Sequence, residues 1–564
     1  MLETNPIFLS ALSALLFVLS SLPQQKPAAA GSIAPPQNFQ IAGVVVDALS
    51  AQPLSHTQVF IQGQSIANSG QATTTGDDGR FVFDNVARGH YALSARRRGY
   101  IQQSYKQHEF FSTAIIVGPN LDTSNLRFPL PPDAAISGQI VDEMNDPVRN
   151  AQVLLFQQGL QFGHHTTWQQ SSAQTDDQGH YRFGHLLPGT YFVAVSAQPW
   201  YAQRVTHQLI QQTDSSGTIS EQEMTNGEPA LDLVYPVTFF SSATEIAAAV
   251  PITLHPGDAE TADLTLRPTP ALHVTISYVP SSKPEEPENF WPQVSQQLIP
   301  GLQQQLGVAF SQNRPGVLEI VGLPPGRLNL TLHSSHGTES SAHSLAVQLA
   351  ADANINMSEA PPLASVSGVV KMDDGSPALR TSLQLHNRAT GEQFGAQVQD
   401  TGEFSLQGQS LASGTYDVFV GGPAAETVRS LSATGAKVSG RSIEVAAGQD
   451  VKLTVVVSKG TGHITGFALK DGKPLDGVMV VLVPEVPEHN LVLFRRDQSD
   501  SDGSFNLGGV LPGKYTVIAL ENGWDLDWYT PGVLQKYLPA GERVDVSPNA
   551  KLDVKVNVQH SAVN

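Results

Sequence analysis

Residues 500–519, DSDGSFNLGGVLPGKYTVIA, contain the pattern that decides the fold of this chain. A polar turn ends at Gly503, apolar residues stand at the second and fourth positions after it, and a Pro-Gly pair ends at Gly513. Alternation of apolar and polar residues then resumes at Tyr515. A period of two indicates half-buried β-strands, and Asp followed by Gly is typical of tight turns. The stretch therefore predicts two short strands, with a hairpin at the polar turn that precedes them.

The same pattern occurs in four clear copies along the chain. Each copy opens with a glycine-containing strand, continues to a polar turn that ends in glycine, and resumes alternation after a second glycine. The opening strands begin at Ile41, Ile136, Val366 and Ile464. The turn glycines are Gly79, Gly179, Gly402 and Gly503, and the second glycines are Gly89, Gly189, Gly414 and Gly513.

A fifth, degenerate copy lies between the second and third clear ones. Gly316 takes the place of the turn glycine, Gly326 takes the place of the second, and the opening strand is predicted over 272–276. The Pro-, Glu- and Gln-rich stretch 281–312 is then expected to be an insertion or loop. Outside the N-terminal segment, helical structure is expected only over Gln296–Leu306 and at a turn near Pro531–Tyr537.

Short alternating strands with frequent turn signals predict an all-β chain, a tandem array of about five antiparallel β-sandwich domains after an N-terminal signal segment. Domain limits are placed where a strand ends in Pro or Gly. The expected domains are a signal peptide (1–30) and sandwiches over 31–132, 133–268, 269–360, 361–459 and 460–564, of which the second has a C-terminal extension.

The N-terminus indicates export. Residues 7–22, IFLSALSALLFVLSSL, are apolar or small, and small residues at 28–30 follow Pro23. This core is shorter than the roughly 20 residues of a membrane-spanning helix and is typical of a cleaved secretory signal. Because no Lys or Arg precedes it, a retained anchor and a cytosolic helix are alternatives. The expected location is the periplasm, the cell surface or the medium.

The composition excludes several classes of protein. The 564 residues carry 32 basic and 51 acidic side chains, a net charge of −19, and no cysteine. Nucleic-acid affinity comes largely from Lys and Arg that neutralise phosphates, so no nucleic-acid partner is expected. Without cysteine there is no disulfide, thiolate zinc site, iron–sulfur cluster or cysteine nucleophile. No cofactor is predicted, and the mature chain contains no apolar run long enough to span a membrane.

The repeated motifs resemble the carboxypeptidase regulatory-like domain. The resemblance rests on the opening-strand glycine, the Asp-x-Gly turn, the Leu-Pro-Gly-x-Tyr segment and a proline before the second strand, namely Pro53, Pro147, Pro377 and Pro474. It covers four copies and the latter half of the degenerate one. It implies a transthyretin-like (prealbumin-like) sandwich, counted among carbohydrate-binding-like folds, and a role in docking or binding instead of peptide cleavage.

Candidate metal and catalytic groups are few. His336, Glu339 and His343 come nearest to the spacing of a zinc site, but no α/β pattern surrounds them, and we interpret the segment as a polar loop. A second group of histidines is expected to lie on a solvated sandwich edge: His164, His165, His180 and His185. The turn at residues 500–503 begins like a calcium loop, yet Leu511 occupies the position of its bidentate glutamate. No catalytic residue and no metal site is therefore predicted.

Aromatic residues recur at the ends of the predicted strands. Eleven residues after the second glycine, three copies carry an aromatic, and further rings lie close by; the six residues are Tyr100, Trp200, Tyr201, Trp524, Trp528 and Tyr529. Trp and Tyr combine apolar area with a polar tip, so exposed rings at a loop end are candidates for binding a sugar face or a partner. Alternatively, each ring closes its own sandwich or packs against a neighbouring domain.

The predicted function is that of an exported, non-catalytic binding, adhesion or spacer protein of the cell envelope. Its candidate partners are a polysaccharide or an envelope protein. Two alternatives stay open: an accessory, regulatory-type component of a secreted hydrolase such as a metallocarboxypeptidase, and a purely structural spacer. Exposed loop-end aromatics would favour binding, and buried ones would favour a spacer.

Overall fold

A computed structural model describes residues 38–64, 70–161, 163–213, 219–279, 289–314, 316–336, 339–406, 411–421, 426–459, 462–530 and 532–561. Over these ranges the chain consists of β-strands and turns, with no α-helix. It has short 3-10 helices at Pro229–Leu231, Ile246–Ala248, Met357–Glu359, Pro487–His489, Leu491–Leu493, Gly523–Asp525 and Leu538–Ala540. The predicted signal peptide lies outside the described residues. Nowhere in these ranges is there a helix long and apolar enough to cross a membrane.

Five β-sandwiches follow one another along the chain. Sandwich 1 consists of β1 (Phe39–Asp47), β2 (Gln58–Gly63), β3 (Gln71–Thr74), β4 (Arg80–Val86), β5 (Gly89–Arg96), β6 (Gln103–Ser104), β7 (Ile115–Val117) and β8 (Leu126–Leu130). Sandwich 2 consists of β9 (Ala134–Val141), β10 (Gln152–Gln161), β11 (His164–Gln174), β12 (His180–Leu186), β13 (Gly189–Ser196), β14 (Thr206–Thr213), β15 (Ile219–Asn226), β16 (Leu233–Val234), β17 (Thr238–Phe239), β18 (Ile252–Leu254), β19 (Ala259–Thr261), β20 (Leu264–Thr265) and β21 (Thr269–Pro270).

The other three sandwiches have the same order of elements. Sandwich 3 consists of β22 (Leu272–Ser277), β23 (Asn289–Ile299), β24 (Leu302–Gln305), β25 (Ala309–Arg314), β26 (Val317–Leu323), β27 (Gly326–His336), β28 (Glu339–Leu349) and β29 (Ala353–Asn356). Sandwich 4 consists of β30 (Ser365–Met372), β31 (Ser382–Asn387), β32 (Gln393–Gln397), β33 (Glu403–Ser405), β34 (Gly414–Gly421), β35 (Glu426–Thr434), β36 (Ala436–Ser439), β37 (Ser442–Val445) and β38 (Asp450–Lys459). Sandwich 5 consists of β39 (Gly462–Lys470), β40 (Lys473–Pro474), β41 (Met479–Pro484), β42 (Arg495–Gln498), β43 (Ser504–Val510), β44 (Gly513–Glu521), β45 (Glu542–Val546) and β46 (Lys551–His560).

One topology is common to all five sandwiches. The opening strand pairs antiparallel with the strand after the turn glycine and parallel with a strand at the end of the sandwich, as in the order β4-β1-β8. The second strand pairs antiparallel with the strand that starts at the second glycine, as β2 does with β5. The predicted array of β-sandwiches is confirmed. Each sandwich also contains a pair of parallel strands, whereas the sequence predicted antiparallel pairing only.

The hairpin predicted at the polar turn is wrong. The strands on its two sides belong to different hydrogen-bonded ladders: β3 pairs with β2, whereas β4 pairs with β1. The turn ending at Gly79 therefore carries the chain from one layer to the other. The turns in sandwiches 2, 4 and 5 do the same: the strand before the turn pairs with the second long strand, and the strand after it pairs with the opening strand.

The structure explains the glycine in each opening strand. A Cβ on Gly368 would stand 1.8 Å from the backbone oxygen of Leu453 on the parallel strand β38. The equivalent glycines, Gly43, Gly138 and Gly466, face a backbone oxygen in the same way, at 2.2, 2.3 and 2.0 Å; for Gly138 it belongs to Ala262, between the parallel strands β19 and β20. At two of them an aromatic ring also covers the glycine, since the ideal Cβ lies 3.0 Å from Tyr181 and from Phe505. Only glycine permits this close approach.

Sandwich 3 solves the same packing problem with different residues. Ile276 occupies the position of the glycine, and its antiparallel partner is Leu318 where the other sandwiches have Phe or Tyr. The parallel partner of Ile276 is Ile355, and all three side chains are buried. Two medium-sized aliphatic side chains replace the glycine and aromatic pair, so this copy keeps the topology without the sequence signature.

The tyrosine of the Pro-Gly-x-Tyr segment closes a corner of the sandwich. The hydroxyl of Tyr416 donates to the backbone oxygen of Ala412, four residues upstream, at 2.7 Å. The equivalent hydroxyls, of Tyr91, Tyr191 and Tyr515, donate to the backbone oxygens of Ala87, Leu187 and Leu511 at 3.0, 2.7 and 2.9 Å. Each bond ties the connection before the strand to its own sheet, as in the tyrosine corner of other β-sandwiches.

Two local predictions for sandwich 3 are wrong. The segment 281–312, expected to be an insertion or loop, contributes β23, β24 and part of β25 where it is described. The helix expected over Gln296–Leu306 is a strand pair, in which Gln296 pairs with Gln304. Both faces of β23 are covered, since the consecutive residues Val294, Ser295 and Gln296 are all buried. Val294 lies in the sandwich core, and Leu298 packs on sandwich 2. Buried residues on both faces removed the period-two signal.

Each sandwich has its own hydrophobic core, and cores also join across sandwiches. Phe156 and Phe239 of sandwich 2 form one buried cluster with Leu298 and Ile299 of sandwich 3. Sandwiches 2 and 3 therefore share apolar surface. The turn expected near Pro531–Tyr537 is observed over 532–537, and Pro531 lies outside the description. The exact domain limits stay a prediction; β21 pairs with β16 across the limit expected after residue 268.

Candidate functional site

The six aromatic residues predicted at loop ends lie in different environments. Trp524 and Trp528 are buried, at 8% and 7% exposure, whereas Trp200 is 83% exposed. Tyr100, Tyr201 and Tyr529 are half-buried. The structure therefore does not bring the six rings into one site, and each group has its own surroundings.

Trp524 and Trp528 belong to an apolar cluster at the edge of sandwich 5. Met479, Val481, Ile518 and Leu520 of strands β41 and β44 form its base, and Leu526, Leu534 and Tyr537 cover it. Phe111 of sandwich 1 packs against the same cluster. The His108 ring stacks on the Trp524 indole, with centroids 5.0 Å apart and an interplanar angle of 3°. The C-terminal aromatics therefore hold the first and last sandwiches together.

An ion pair lies at the centre of this contact, which we call the first–last interface. The Arg496 guanidinium donates to both carboxylate oxygens of Glu109, at 3.1 and 2.9 Å, and the two side chains are 9% and 16% exposed. The same guanidinium lies 5.2 Å from the Phe111 ring centroid and 4.4 Å from the Trp528 ring. A bidentate, aromatic-stacked arginine is among the stronger contacts available to a protein surface.

Further hydrogen bonds, each with a main-chain group on at least one side, extend the first–last interface along the polar turn at residues 500–503. The Ala114 amide donates to Asp500 Oδ1 at 3.0 Å, and the Ser501 amide donates to the Ala114 oxygen at 2.9 Å. The Ile116 amide donates to Ser501 Oγ at 2.8 Å. Gln498, 1% exposed, donates to the Lys106 oxygen at 2.7 Å. The turn thus docks on sandwich 1, a role that its sequence did not indicate.

Two titratable groups at or beside this interface have shifted pKa values. A hydrogen bond to Asp500, 3.5 Å away, raises the pKa of His90 against the opposing effect of burial. Burial raises the pKa of Asp497 to about 6, although the Asn506 amide donates to its Oδ2 at 2.7 Å. Both shifts favour the protonated form of the folded protein, so both groups stabilise the fold more in mild acid than above neutral pH.

Sandwich 2 also reaches the C-terminal aromatics. Gly163, at the tip between β10 and β11, lies against the Trp528 indole, where a Cβ would stand 2.2 Å from the ring. The Tyr529 amide donates to the Gly163 oxygen at 3.1 Å, and burial raises the pKa of the Tyr529 hydroxyl. Trp528 and Tyr529 are therefore interdomain packing residues, which was the alternative to a ligand role.

Trp200 and Tyr201 remain at the surface of sandwich 2. They follow β13, and their rings stand perpendicular, with centroids 5.6 Å apart and an angle of 88°. The Tyr201 hydroxyl donates to Glu143 Oε1, and the Tyr235 hydroxyl donates to Oε2 at 3.1 Å. Burial and then the bond to Glu143 raise the pKa of Tyr201 to about 12. Burial acts to raise the pKa of Glu143, but the hydrogen bonds to Glu143 outweigh it and lower that pKa. The hydrogen bond to Glu143 holds the Tyr201 side chain in place, and the adjacent Trp200 side chain is exposed to solvent.

Tyr100, the third loop-end tyrosine, lies at the junction of sandwiches 1 and 2. Its hydroxyl donates to Asp47 Oδ2 at 3.0 Å, and the Arg97 guanidinium lies 5.1 Å from its ring centroid. An isolated bridge pairs Tyr100 with Pro132, at the start of the next sandwich. Tyr100 therefore packs partly on the core of sandwich 1 and partly lines the junction.

The histidines do not assemble into a metal site within the described ranges. His336 pairs with Glu339 at the end of the β27–β28 ladder, so this segment is a strand pair and not the expected polar loop, and His343 Nδ1 contacts the Ala360 oxygen at 2.9 Å. The second group disperses: His164 and His165 begin β11, His180 lies 3.7 Å from Asp176, and His185 lies 2.5 Å from Asp133.

Arg496 and Glu109 are the interface residues that sequence reasoning missed. The pair Arg495-Arg496 is conspicuous in a chain with only 32 basic residues, and it stands just before the polar turn. These two adjacent arginines on a strand were the sequence signal that could have indicated the interface. Its partner could not be read from the sequence, because 387 positions separate the two residues.

Comparisons with known proteins agree with the repeat pattern. The carboxypeptidase regulatory-like domain family matches residues 40–120 and 135–220. No curated protein matches the chain in sequence. Solved structures that resemble it include the minor pilin GBS52 of Streptococcus agalactiae, which is 12% identical, with 41% of this chain and 97% of the pilin covered and a TM-score of 0.21.

Two further likenesses are similarly remote. The shaft pilin spaA from Lactobacillus rhamnosus GG is 10% identical over 42% of this chain and 98% of its own, with a TM-score of 0.19. The Bacillus anthracis TIE protein is 10% identical over 94% of this chain and 75% of its own, with a TM-score of 0.16. At such TM-scores the solved structures carry no argument about this chain. The family match does carry information: residues 40–120 and 135–220 of this chain are similar to carboxypeptidase regulatory-like domains.

Proposed function

We propose that this chain is an exported, non-catalytic binding protein of the cell envelope, in which five docked β-sandwiches present a glycan-binding surface at Trp200. Regulatory-like domains of this family accompany enzymes without performing their chemistry, which supports a binding role. The apolar segment 7–22 supports export. The net charge of −19 opposes nucleic acid as the ligand.

The exposure of Trp200 carries the proposal. At 83% exposure its side chain is largely open to solvent, while the other two predicted loop-end tryptophans are buried. A largely exposed aromatic side chain contributes little to the stability of its own domain, and aromatic residues are enriched where partners bind. The flat, apolar faces of sugar rings match an indole face, and Tyr201 adds a second ring with a polar tip.

Glycan binding is tested by retention of the purified protein on a panel of insoluble polysaccharides and by affinity electrophoresis in soluble ones. We expect Trp200→Ala to abolish retention on the glycan that the unmodified protein binds. The stability of sandwich 2 should change by less than about 0.5 kcal/mol, because an exposed side chain is removed.

The matched control is Trp291→Ala, which removes a tryptophan that is 40% exposed and stacked on His333 in sandwich 3. This variant should be retained like the unmodified protein. The proposal is wrong if no glycan of the panel retains the protein, or if both variants lose retention equally. If no glycan binds but a protein partner is recovered whose binding requires Trp200, the surface serves adhesion to an envelope protein and not glycan binding.

A further inference from the structure

A basic cleft of about 540 Å³ lies at the junction of sandwiches 1 and 2. Its lining consists of His56, Gln58, Arg96, Arg97, Arg98, Tyr100, Ile101, Gln102 and His185. Sites for small molecules commonly measure about 300–1,000 Å³. The cleft therefore has room for a ligand of a few sugar rings or similar size.

The lining is unusual for this chain. Arg96, Arg97 and Arg98 form the only run of three basic residues in the sequence, in a chain that otherwise carries an excess of acid. The run starts at the last residue of β5 and continues into the connection to β6, at the end of sandwich 1 that faces sandwich 2. Three positive charges collected at one end create a local field opposite in sign to that of the whole protein.

Two of the three guanidinium groups are held in place by neutral partners. Arg96 Nε donates to Gln58 Oε1 at 2.7 Å, and its guanidinium lies 5.1 Å from the Phe60 ring centroid. Arg97 Nε donates to the Ser55 oxygen at 3.0 Å and lies over Tyr100, which Asp47 anchors. These bonds use one donor of each group and leave the terminal nitrogens for a ligand.

No acid neutralises these arginines within the part of the chain that the structure describes. None of the three guanidinium groups has a carboxylate oxygen within 4.0 Å there. Two acids that contact lining residues are engaged there, since Asp47 accepts from Tyr100 and Asp133 pairs with His185. Arginines held in place without a counter-charge are suited to bind oxyanions in a bidentate manner.

We infer that this cleft binds an acidic saccharide, with Arg96 and Arg98 contacting its carboxylate or sulfate groups. Tyr100 offers a ring edge, and the amides of Gln58 and Gln102 offer hydrogen bonds to sugar hydroxyls. The net charge of −19 disfavours long polyanions such as nucleic acid and anionic membranes, which approach a large area of surface. This site shares no residue with the surface at Trp200 and goes beyond the proposed function.

Isothermal titration of the purified protein tests the inference with four probes: trigalacturonate, a sulfated maltotriose, neutral maltotriose and sodium sulfate. We expect one or both acidic trisaccharides to bind, and neutral maltotriose and sulfate to bind at least tenfold more weakly. The double variant Arg96→Gln, Arg98→Gln should weaken acidic binding about tenfold or more, because charge-assisted hydrogen bonds of about 1.5–3 kcal/mol are lost.

The matched control is Arg127→Gln, Arg149→Gln, which removes the same charge from exposed positions outside the cleft. This control should bind acidic trisaccharides like the unmodified protein. Equal losses in both double variants, no binding of either acidic trisaccharide, or equal binding of free sulfate would overturn the inference. Trp200→Ala separates the two proposals, since it should affect retention on the panel glycan and leave trisaccharide binding at the cleft unchanged.

Discussion

Replacing Gly368 by alanine is expected to destabilise sandwich 4 by about 3 kcal/mol. The new methyl group would stand 1.8 Å from the backbone oxygen of Leu453, a contact that no rotation of a side chain can relieve. The parallel strands β30 and β38 would have to move apart, although both lie in the core sheet of the sandwich. Overpacking a tight core costs about 1–3 kcal/mol, and backbone contacts belong at the upper end.

Hydrogen exchange measured by mass spectrometry reports this effect in one sandwich at a time. A loss of about 3 kcal/mol corresponds to amides of β30 and β38 that exchange about a hundredfold faster, while the amides of sandwich 2 keep their rates. Gly395→Ala is the control in the same sandwich, because its Cβ would meet no atom nearer than 3.7 Å. Equal exchange rates in the two variants would contradict the role assigned to the opening-strand glycine.

Arg496→Ala is expected to destabilise the first–last interface by about 3 kcal/mol. The substitution removes the bidentate partner of the Glu109 side chain, which is 16% exposed in the intact interface, and it also removes the cation above Phe111 and Trp528. Removing one member of a buried ion pair costs about 3–5 kcal/mol, because the remaining charge stays desolvated. Arg496→Lys should recover part of the loss, since lysine keeps the charge but not the planar fork.

This loss of stability is measured by urea unfolding, with hydrogen exchange of the amides in segment 106–116 as the readout. In the double variant Arg496→Ala, Glu109→Ala the loss should be smaller than in Arg496→Ala alone, because no unpaired carboxylate is left. Arg429→Ala serves as the control, since its pair with Asp373 is 60% and 37% exposed and worth at most about 1 kcal/mol. An Arg496→Ala protein as stable as the Arg429→Ala protein would show that the interface does not depend on this pair.

Much of the fold could be predicted from local sequence. The alternation around Tyr416 and its equivalents marks strands, and the glycines mark their starts, because both signals depend on residues only a few positions apart. The packing reason for Gly368 could not be predicted, since its partner Leu453 lies 85 positions away. The hairpin prediction failed for the same reason: a turn sequence does not say which strand its neighbours will pair with.

The candidate site was predictable only in part. Trp200 and Trp524 each stand eleven residues after the second glycine of their copy, so the sequence predicts a loop end for both. One ring is exposed and the other is buried because sandwich 1 packs on sandwich 5 through His108 and Phe111. Contacts between parts of the chain about 390 positions apart leave no local pattern.

An engineered disulfide tests whether the first and last sandwiches are in direct contact. The chain has no cysteine, and the Ser501 amide donates to the Ala114 oxygen at 2.9 Å. Backbone-bonded neighbours stand about 5 Å apart between Cα atoms, a distance that a disulfide can span. Ala114→Cys, Ser501→Cys should therefore crosslink within one molecule on mild oxidation, and a non-reducing gel should show a faster-migrating monomer. Each single-cysteine variant should lack that band. An oxidised double variant that yields only uncrosslinked monomer and intermolecular dimer would contradict the docked arrangement.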